Sequence, residues 1–287
     1  ELFKKLPVNA TASGRGFLIF GSTNGFLSVV DREFKPVTFQ AHEYAITHLQ
    51  QLVHRNILIS VGNDDEAVSP TIKIWNFDKV DRDGVPFLVR SIRLQKLDQP
   101  VPVTAFRCTE DLSQIAVGLC NGQIVVIRGT DVSRDRFPKQ KILSSPSDNP
   151  ISGLVWRTLD QHVILYAVTS KFVASYWTTA KDKRVELDAK GADIGCVTQS
   201  DDGDAVIGRD EAVYFYMPES LGACFGFEGP KQLLLWFRSY LLTVGQTGGV
   251  SGGTSLNIYD LKNKFVAYSG TRLPPVQHVV AEWGSLF

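Results

Sequence analysis

The sequence predicts an all-β protein, a seven-bladed β-propeller whose last blade is incomplete. Three observations predict it. A unit of short strands and turns recurs along the 287 residues, apolar and polar side chains alternate within the strands, and helical spacing of apolar residues over ~11 positions is hard to find. Four strands per unit at a period near ~40 to 45 residues is typical of propeller blades. We expect one domain over residues 1–287, with blades starting near residues 8, 46, 103, 151, 194, 233 and 276.

The first blade is predicted from residues 8–40, with strands over 8–13, 16–20, 25–31 and 35–40. Its middle is the stretch LIFGSTNGFLSVVD, in which Asn24-Gly25 separates two apolar runs. An Asn-Gly pair supplies the two positive-φ residues of a type I′ turn, so we expect a two-residue hairpin there. The pair Asn121-Gly122 likewise lies between two apolar runs, so the same pattern occurs a second time in the chain.

Five further units follow the same plan, and each ends in an outer strand. Alternation in IKIWNF and LNIYDL has the period of two that half-buried strands show. The three-strand segments cover residues 46–77, 103–129, 151–177, 194–217 and 233–261, and the outer strands cover 87–94, 139–143, 183–188, 223–229 and 264–270.

The seventh unit is represented by residues 276–287, which we expect to begin an inner strand. Two completions of this blade stay open. The missing strands belong to a longer parent chain, or residues 1–5 dock against residues 276–287 and close the blade. The first is favoured.

Charge and hydropathy exclude several classes of function. The chain has 30 basic and 30 acidic residues, so it lacks the net charge that nucleic acid or a strongly anionic membrane usually selects. No apolar run approaches the ~18 residues that span a bilayer, and residues 1–10 lack the apolar core of a signal peptide. We expect a soluble protein with protein partners.

The spacings of the cysteine and histidine residues do not favour a metal site or redox chemistry. The four cysteines form no C-x-x-C pair, which indicates buried structural thiols and leaves a disulfide open. The histidines lack helical or strand spacing for a shared metal, and His42 is expected to bridge the turn into its blade. The five are His42, His48, His54, His162 and His278.

Three polar stretches invite other chemistry. The acidic runs 62–66 and 200–204 lack the residue order of a calcium loop, so we interpret both as turns. The glycine-rich run 245–255 lacks the ending of a phosphate-binding loop and is interpreted as a flexible hairpin loop. No G-x-S-x-G motif is present. We therefore expect no catalytic residue, no cofactor and no metal.

The loop over residues 129–141 is the one candidate partner-binding site. It can be a solvated loop whose charges pair with each other, or a docking surface, since propeller loops form the rims and arginine often dominates interfaces. The candidate residues are Asp131, Arg134, Asp135, Arg136, Lys139 and Lys141.

The tryptophans indicate packing between blades. Trp156, Trp236 and Trp283 fall in predicted first strands, while Trp75 and Trp177 fall in third strands. Their indole N–H groups then need partners. An aromatic platform for nucleic acid would want basic neighbours, which these residues lack.

Two motifs resemble degraded WD repeats. Residues 41–49, AHEYAITHL, resemble the Gly-His lead-in, and Trp75-Asn76 stands where Trp-Asp is usual. Nearly the whole chain is similar to the amino-terminal propeller of the vacuolar protein sorting subunit eleven family, part of the class C core of the HOPS and CORVET tethering complexes. The segments that carry this resemblance are SGRGFLIFG (13–21), ITHLQQL and NILISVGNDDE (within 46–66), IKIWN (72–76), VSRDR (132–136), RVELD (184–188), FEGPKQLLLWFRSYLL (227–242), LNIYDLKNKFVAYS (256–269) and AEWGSLF (281–287).

The resemblance implies a WD-like propeller that acts as a non-enzymatic interaction scaffold in vesicle trafficking and fusion. It implies other class C tethering subunits as partners, with Rab GTPases or SNAREs contacted through the complex. It also implies a cytoplasmic location, peripheral on the late endosome, lysosome or vacuole membrane. Two rivals stay open: a propeller that reads short peptides or ubiquitin, and a propeller hydrolase, which the mostly apolar first strands disfavour.

Overall fold

The computed structural model describes residues 6–65, 70–94, 101–136, 138–179, 183–247 and 253–287. Within these residues all regular structure is β-strand, and it forms six four-stranded sheets and one two-stranded hairpin. Each four-stranded sheet is an antiparallel meander in which consecutive strands are neighbours. These sheets are the blades.

The strands of blades one to three are β1 (Val8–Gly14), β2 (Phe17–Ser22), β3 (Phe26–Val30), β4 (Pro36–Gln40), β5 (Ile46–Gln51), β6 (Ile57–Asn63), β7 (Pro70–Val80), β8 (Pro86–Arg93), β9 (Val103–Cys108), β10 (Gln114–Leu119), β11 (Ile124–Arg128) and β12 (Lys139–Ile142). Those of blades four to six are β13 (Ile151–Leu159), β14 (His162–Thr169), β15 (Val173–Trp177), β16 (Lys183–Asp188), β17 (Val197–Gln199), β18 (Ala205–Gly208), β19 (Val213–Met217), β20 (Ser220–Phe225), β21 (Leu233–Phe237), β22 (Tyr240–Thr247), β23 (Gly253–Asp260) and β24 (Phe265–Leu273). The hairpin consists of β25 (Ala281–Glu282) and β26 (Ser285–Leu286).

The chain divides into two compact units, which are described separately. Unit 1 comprises Glu1–Ala116, Val125–Leu143 and His278–Phe287, and unit 2 comprises Val117–Ile124 and Ser144–Gln277. A single domain over residues 1–287 remains a prediction.

The core of unit 1 forms where blades one and two face each other. Ile19 and Leu27 of blade one pack with Ile46, Leu58 and Trp75 of blade two, and all five are buried. Strand β6 is buried on both faces because it lies inside its sheet and both faces of the sheet are covered. Burial of both faces explains why the second strands read as continuous apolar runs.

The core of unit 2 repeats this arrangement. Val168 and Tyr166 of blade four pack with Ile207 and Tyr216 of blade five. A second cluster joins blade five to blade six. The outer strands have little burial by comparison, and β24 is exposed at most of its positions.

The hairpin at Asn24-Gly25 is present, but its predicted turn type is wrong. Gly25 has φ 79° and its N–H donates to the carbonyl of Ser22 at 3.3 Å. This is the pattern of a type I turn followed by one left-handed residue, which makes a three-residue loop rather than type I′. The Ser22 hydroxyl favours that form because it accepts from the N–H groups of Asn24 and Phe26 at 3.3 and 2.9 Å. A side chain at Gly25 would also meet the carbonyl of His42.

The prediction of seven blades is wrong, because the described residues contain six. The segment expected to start a seventh inner strand instead folds into the β25–β26 hairpin. Trp283 (φ 53°) and Gly284 (φ 79°) both have positive φ, as the central residues of a type I′ turn do. Trp283 therefore lies in a turn and not in a first strand.

The terminal hairpin belongs to unit 1 and lies along blade one. The Ser13 hydroxyl donates to the carbonyl of Ala281 at 2.9 Å, and the Gly16 N–H donates to the carboxylate of Glu282 at 3.0 Å. Val280 is buried with Leu18 and Phe20. Of the two expected completions, docking by residues 1–5 falls outside the described residues.

Blade five shows the largest shift from the predicted boundaries. Its first strand begins at Val197 instead of 194, and its outer strand covers Ser220–Phe225 instead of 223–229. Met217 pairs with Ser220 across a tight turn at Pro218-Glu219, which returns the chain three residues earlier than expected. Ile194 is left exposed before the strand.

Candidate functional site

A buried hydrogen-bonded network organises blade two. The Nε1 atom of Trp75 donates to the Ser60 hydroxyl at 2.9 Å, and that hydroxyl lies 2.8 Å from Nε2 of His42. On the other side of the ring, Nδ1 of His42 lies 3.2 Å from the Asp64 carboxylate. His42 is 1% exposed. It therefore bridges the lead-in segment to strands β6 and β7, as predicted.

Burial holds the His42 ring neutral. Burial of the ring lowers the pKa of His42 to about 4, the Lys73 ammonium adds to this, and Asp64 opposes it. Burial alone would raise the pKa of Asp64, but the hydrogen bond from Lys73 and the contact with His42 bring it below its usual range. A neutral ring accepts the Ser60 proton at Nε2 and carries its own proton on Nδ1 toward Asp64.

The predicted docking site, residues 129–141, connects β11 to β12; we call it the rim loop. Its two acidic candidates serve the loop itself. Asp131 accepts the N–H of Ser133 at 2.9 Å, and Asp135 accepts the N–H groups of Thr130 and Asp131 at 2.5 and 3.2 Å. Carboxylates that accept several local N–H groups hold a turn. These side chains are therefore structural elements of the rim loop.

Two arginines of blade two hold the rim loop from outside. The Arg55 guanidinium donates to the Asp131 carboxylate at 3.0 Å. The Arg90 guanidinium donates to the backbone carbonyls of Val132 (3.1 Å) and Arg136 (3.3 Å) and also to that of Asp135. Burial opposes ionisation of Asp131, but the hydrogen bonds from Ser133 and Arg55 outweigh it and lower its pKa.

The four basic candidates of the loop and its following strand face solvent. Arg134 has 81% of its side chain exposed and lies 3.8 Å from Asp131. Arg136, Lys139 and Lys141 are also exposed. The structure thus separates the six candidates into two acids that face inward and four cations that face outward.

No group of three or more potential metal ligands occurs in the described part of the chain. Residues 200–204 form a turn in which Asp204 pairs with Arg157, and Asp64 of the other acidic run belongs to the blade two network. Cys108 and Cys196 are buried, Cys120 is half-buried, Cys224 is exposed, and all four are free thiols. The middle of the glycine-rich run, residues 248–252, lies outside the described residues, and its two ends belong to β22 and β23.

Sequence reasoning missed Ser60, Arg90 and Lys231. Ser60 could have been found, because a lone polar residue in a buried strand between a lead-in histidine and a third-strand tryptophan needs both as partners. Arg90 carries no local signal, since its acceptors lie 42 to 46 residues away. Lys231 donates to the carbonyls of Arg209, Phe227 and Gly229 of unit 2 at 2.5 to 2.9 Å, and to that of Asp210 at 3.4 Å.

The six four-stranded meander sheets of the described residues define an all-β propeller. Solved structures agree at the level of the fold. The β-propeller domain of Cps50 (Swd1) from Myceliophteria thermophila aligns with a TM-score of 0.67 at 13% identity, over 96% of this chain and 89% of that one. The computationally designed Ika8 protein aligns with a TM-score of 0.55 at 15% identity, over 82% of this chain and 67% of that one. The prediction of an all-β propeller is confirmed.

The chain belongs to the PEP5/VPS11 N-terminal family, which it matches over residues 1–287. It is 41% identical to the vacuolar protein sorting-associated protein 11 homolog of Dictyostelium discoideum over 99% of its length, and 39% identical to that of Homo sapiens over 99%. It spans about a third of these relatives, 34% and 32% of their lengths. The resemblance given by the sequence is thereby confirmed.

Among the residues that the structure describes, none form an apolar helix long enough to cross a bilayer.

Proposed function

We propose that the chain is a non-enzymatic interaction scaffold, the propeller of a subunit of a class C vacuolar sorting complex that tethers membranes before fusion. Its partners are the other tethering subunits, and Rab GTPases or SNAREs are reached through the complex. It is placed at the late endosome, lysosome or vacuole surface by those partners. The observation that carries the proposal is the match of residues 1–287 to relatives named for vacuolar protein sorting.

The geometry of the rim loop supports a docking role. A loop that must present charges to a partner gains from being held in one conformation, because less conformational entropy is then lost on binding. Arg90 and Arg55 supply that restraint from blade two. Arg134 and Arg136 then project from a fixed backbone, and arginine is enriched among residues that dominate interfaces.

The test is capture of class C subunits by the immobilised chain from cell lysate, read by quantitative mass spectrometry. The variant Arg134→Glu/Arg136→Glu reverses two of the four exposed positive charges of the rim loop. The matched control, Arg32→Glu/Lys35→Glu, makes the same charge change on the exposed β3–β4 turn of the same unit.

We expect the parent chain and the control to recover tethering subunits and the rim-loop variant to lose most of them. Equal recovery by all three proteins would remove the rim loop from the proposal. Recovery of no tethering subunit by the parent chain would contradict the scaffold role itself.

A further inference from the structure

A cleft of about 330 Å³ opens on unit 1 beside the rim loop; we call it the basic cleft. Its walls come from the β1–β2 turn, the β5–β6 turn, strand β7 and the rim loop. Three arginines line it, namely Arg15, Arg55 and Arg134, against one carboxylate, Asp78. The cleft is therefore rich in cationic donors, although the chain as a whole has no net charge.

The acids near the cleft do not neutralise these arginines. Arg55 and Arg134 share one oxygen of Asp131, at 3.0 and 3.8 Å. Asp78 accepts the side-chain amide of Asn56 at 3.0 Å and keeps its own negative charge. Three guanidinium groups thus stand against two carboxylates, and one positive charge is left to face an anion.

Arg15 is held in place at some conformational cost. It has φ 54°, in the left-handed region that favours glycine, and it stands between Gly14 (φ 146°) and Gly16 (φ 86°). The Glu282 carboxylate fixes this turn by accepting the Gly16 N–H. The exposed Arg15 guanidinium donates to the Val53 carbonyl at 3.1 Å, which uses one of its five N–H groups. Positive φ at both Arg15 and Gly16 is what a type I′ hairpin turn requires, so this conformation belongs to the β1–β2 turn, which places the Arg15 side chain beside the cleft.

One acceptor in the cleft lacks a donor. The Oδ1 atom of Asn56 is buried and accepts no hydrogen bond from the protein. A ligand that satisfies it must bring an N–H or O–H group, and one that satisfies the arginines must bring a carboxylate-like anion. An extended peptide with acidic side chains brings both. A phospholipid headgroup surface is flat and its phosphates carry no donor, so it fits the cleft less well.

We propose that the basic cleft binds an acidic segment of a partner polypeptide. Asp or Glu carboxylates of that segment pair with Arg15 and Arg134. One of its backbone N–H groups donates to Oδ1 of Asn56, which is buried in the free protein and turns toward the cleft to accept it. The inference rests on the proposed function and names the chemistry of the partner that the rim loop would meet.

Fluorescence anisotropy tests this with two labelled octapeptide pools. In the acidic pool four positions are Asp or Glu and four are randomised; in the amide pool the four fixed positions are Asn or Gln. The variants are Arg15→Glu/Arg134→Glu, which reverses the charge of the cleft, and Asn56→Ala, which removes the acceptor without changing charge. Arg32→Glu/Lys35→Glu is the control.

We expect saturable binding of the acidic pool that exceeds binding of the amide pool at least tenfold. The charge-reversal variant should weaken it at least tenfold, and Asn56→Ala about threefold or more, while the control binds like the parent chain. If the control variant loses as much peptide binding as the charge-reversal variant, or if Asn56→Ala leaves binding unchanged, the acidic pool is held only by unspecific charge attraction. Either result would overturn the proposal. Binding to vesicles of phosphatidylserine and phosphatidylcholine that depends on Arg15 and Arg134, with no binding of peptide, would also overturn it.

Failure here is distinguishable from failure of the scaffold role. If the acidic pool does not bind, yet tethering subunits are still captured through Arg134 and Arg136, the peptide inference fails and the scaffold proposal stands. If the acidic pool binds but no tethering subunit is captured, the cleft is real and the scaffold proposal fails.

Discussion

The indole N–H of Trp75 donates to the Ser60 hydroxyl at 2.9 Å, deep inside blade two. Both residues are buried, and the same hydroxyl meets His42. This contact joins the second and third strands of the blade to the segment that leads into it.

Removal of that hydroxyl should destabilise unit 1. Ser60→Ala leaves the Trp75 indole and His42 Nε2 buried without their partner, so we expect the free energy of unfolding to fall by about 2 to 4 kcal/mol. Urea denaturation measures it. Ser91→Ala, at an exposed position of β8, is the control and should change stability by less than about 0.5 kcal/mol. If Ser60→Ala also changes the free energy of unfolding by less than about 0.5 kcal/mol, the hydrogen-bonded network does not stabilise blade two.

Stability should fall with decreasing pH below neutrality. Burial lowers the pKa of both His42 and His48 from 6.5 to about 4, so the unfolded chain binds protons in this interval that the folded chain does not. The free energy of unfolding then falls as pH drops from 6.5 toward 4. The slope is up to about 1.4 kcal/mol per pH unit for His42, which is buried, and smaller for His48, which is half-buried.

Urea denaturation between pH 7.5 and 5 measures this slope. The variant His42→Gln should be less stable throughout but should lose less with falling pH than the parent chain. Parallel curves for the two proteins below pH 6.5 would show that His42 is protonated in the folded state.

The rim loop should depend on Arg90. Arg90→Ala removes three hydrogen bonds to loop carbonyls, so we expect faster amide hydrogen exchange at residues 132–136 and a loss of about 1 to 3 kcal/mol. Arg93→Ala, at an exposed position three residues along the same strand, is the control. Unchanged amide hydrogen exchange at residues 132–136 in Arg90→Ala would mean that contacts within the rim loop are enough to fix its conformation.

Unit 2 should depend on Lys231 in a similar way. Lys231→Met removes a cation that bonds the carbonyls of Arg209, Phe227 and Gly229. The Arg209 carbonyl keeps the N–H of Ala212, and exposed Gly229 can turn to solvent, so the Phe227 carbonyl loses most. We expect a loss of about 1 to 3 kcal/mol by thermal or urea denaturation. Lys190→Met removes an exposed ion pair with Glu211 and should cost less than about 1 kcal/mol. Similar losses for both would contradict this assignment.

Arg15 should separate stability from binding. Arg15→Gly relieves the left-handed conformation and loses one exposed hydrogen bond, so we expect the free energy of unfolding to change by less than about 1 kcal/mol. Binding of the acidic pool should nevertheless weaken. A large loss of stability would instead assign Arg15 a structural role in the β1–β2 turn.

Most of the fold could be predicted from local sequence. Alternation and turn residues located nearly all the strands, because side-chain direction in a strand depends only on position along it. The outer strand at Lys183–Asp188 was predicted to the residue. The family resemblance was predictable as well, since its segments extend along nearly the whole chain.

The details that were wrong depended on neighbours. Asn24-Gly25 has the composition of a type I′ turn, but the Ser22 hydroxyl stabilises a three-residue loop; Trp283-Gly284 lacks that composition and adopts type I′ beside blade one. Two alternative turn conformations of the same residues differ in free energy by about a few kcal/mol or less. One hydrogen bond or one packing contact can therefore reverse the preference.

The sequence by itself determined an all-β chain of repeated four-stranded units, the location of their turns, and the residues of the rim loop. Tertiary structure alone decided that there are six blades, that Asp131 and Asp135 turn inward, and that Arg15 and Arg134 line one cleft. Strand formation follows from patterns a few residues long. These other features follow from contacts between residues that are far apart in the chain, such as Arg15 and Arg134, and no local pattern encodes them.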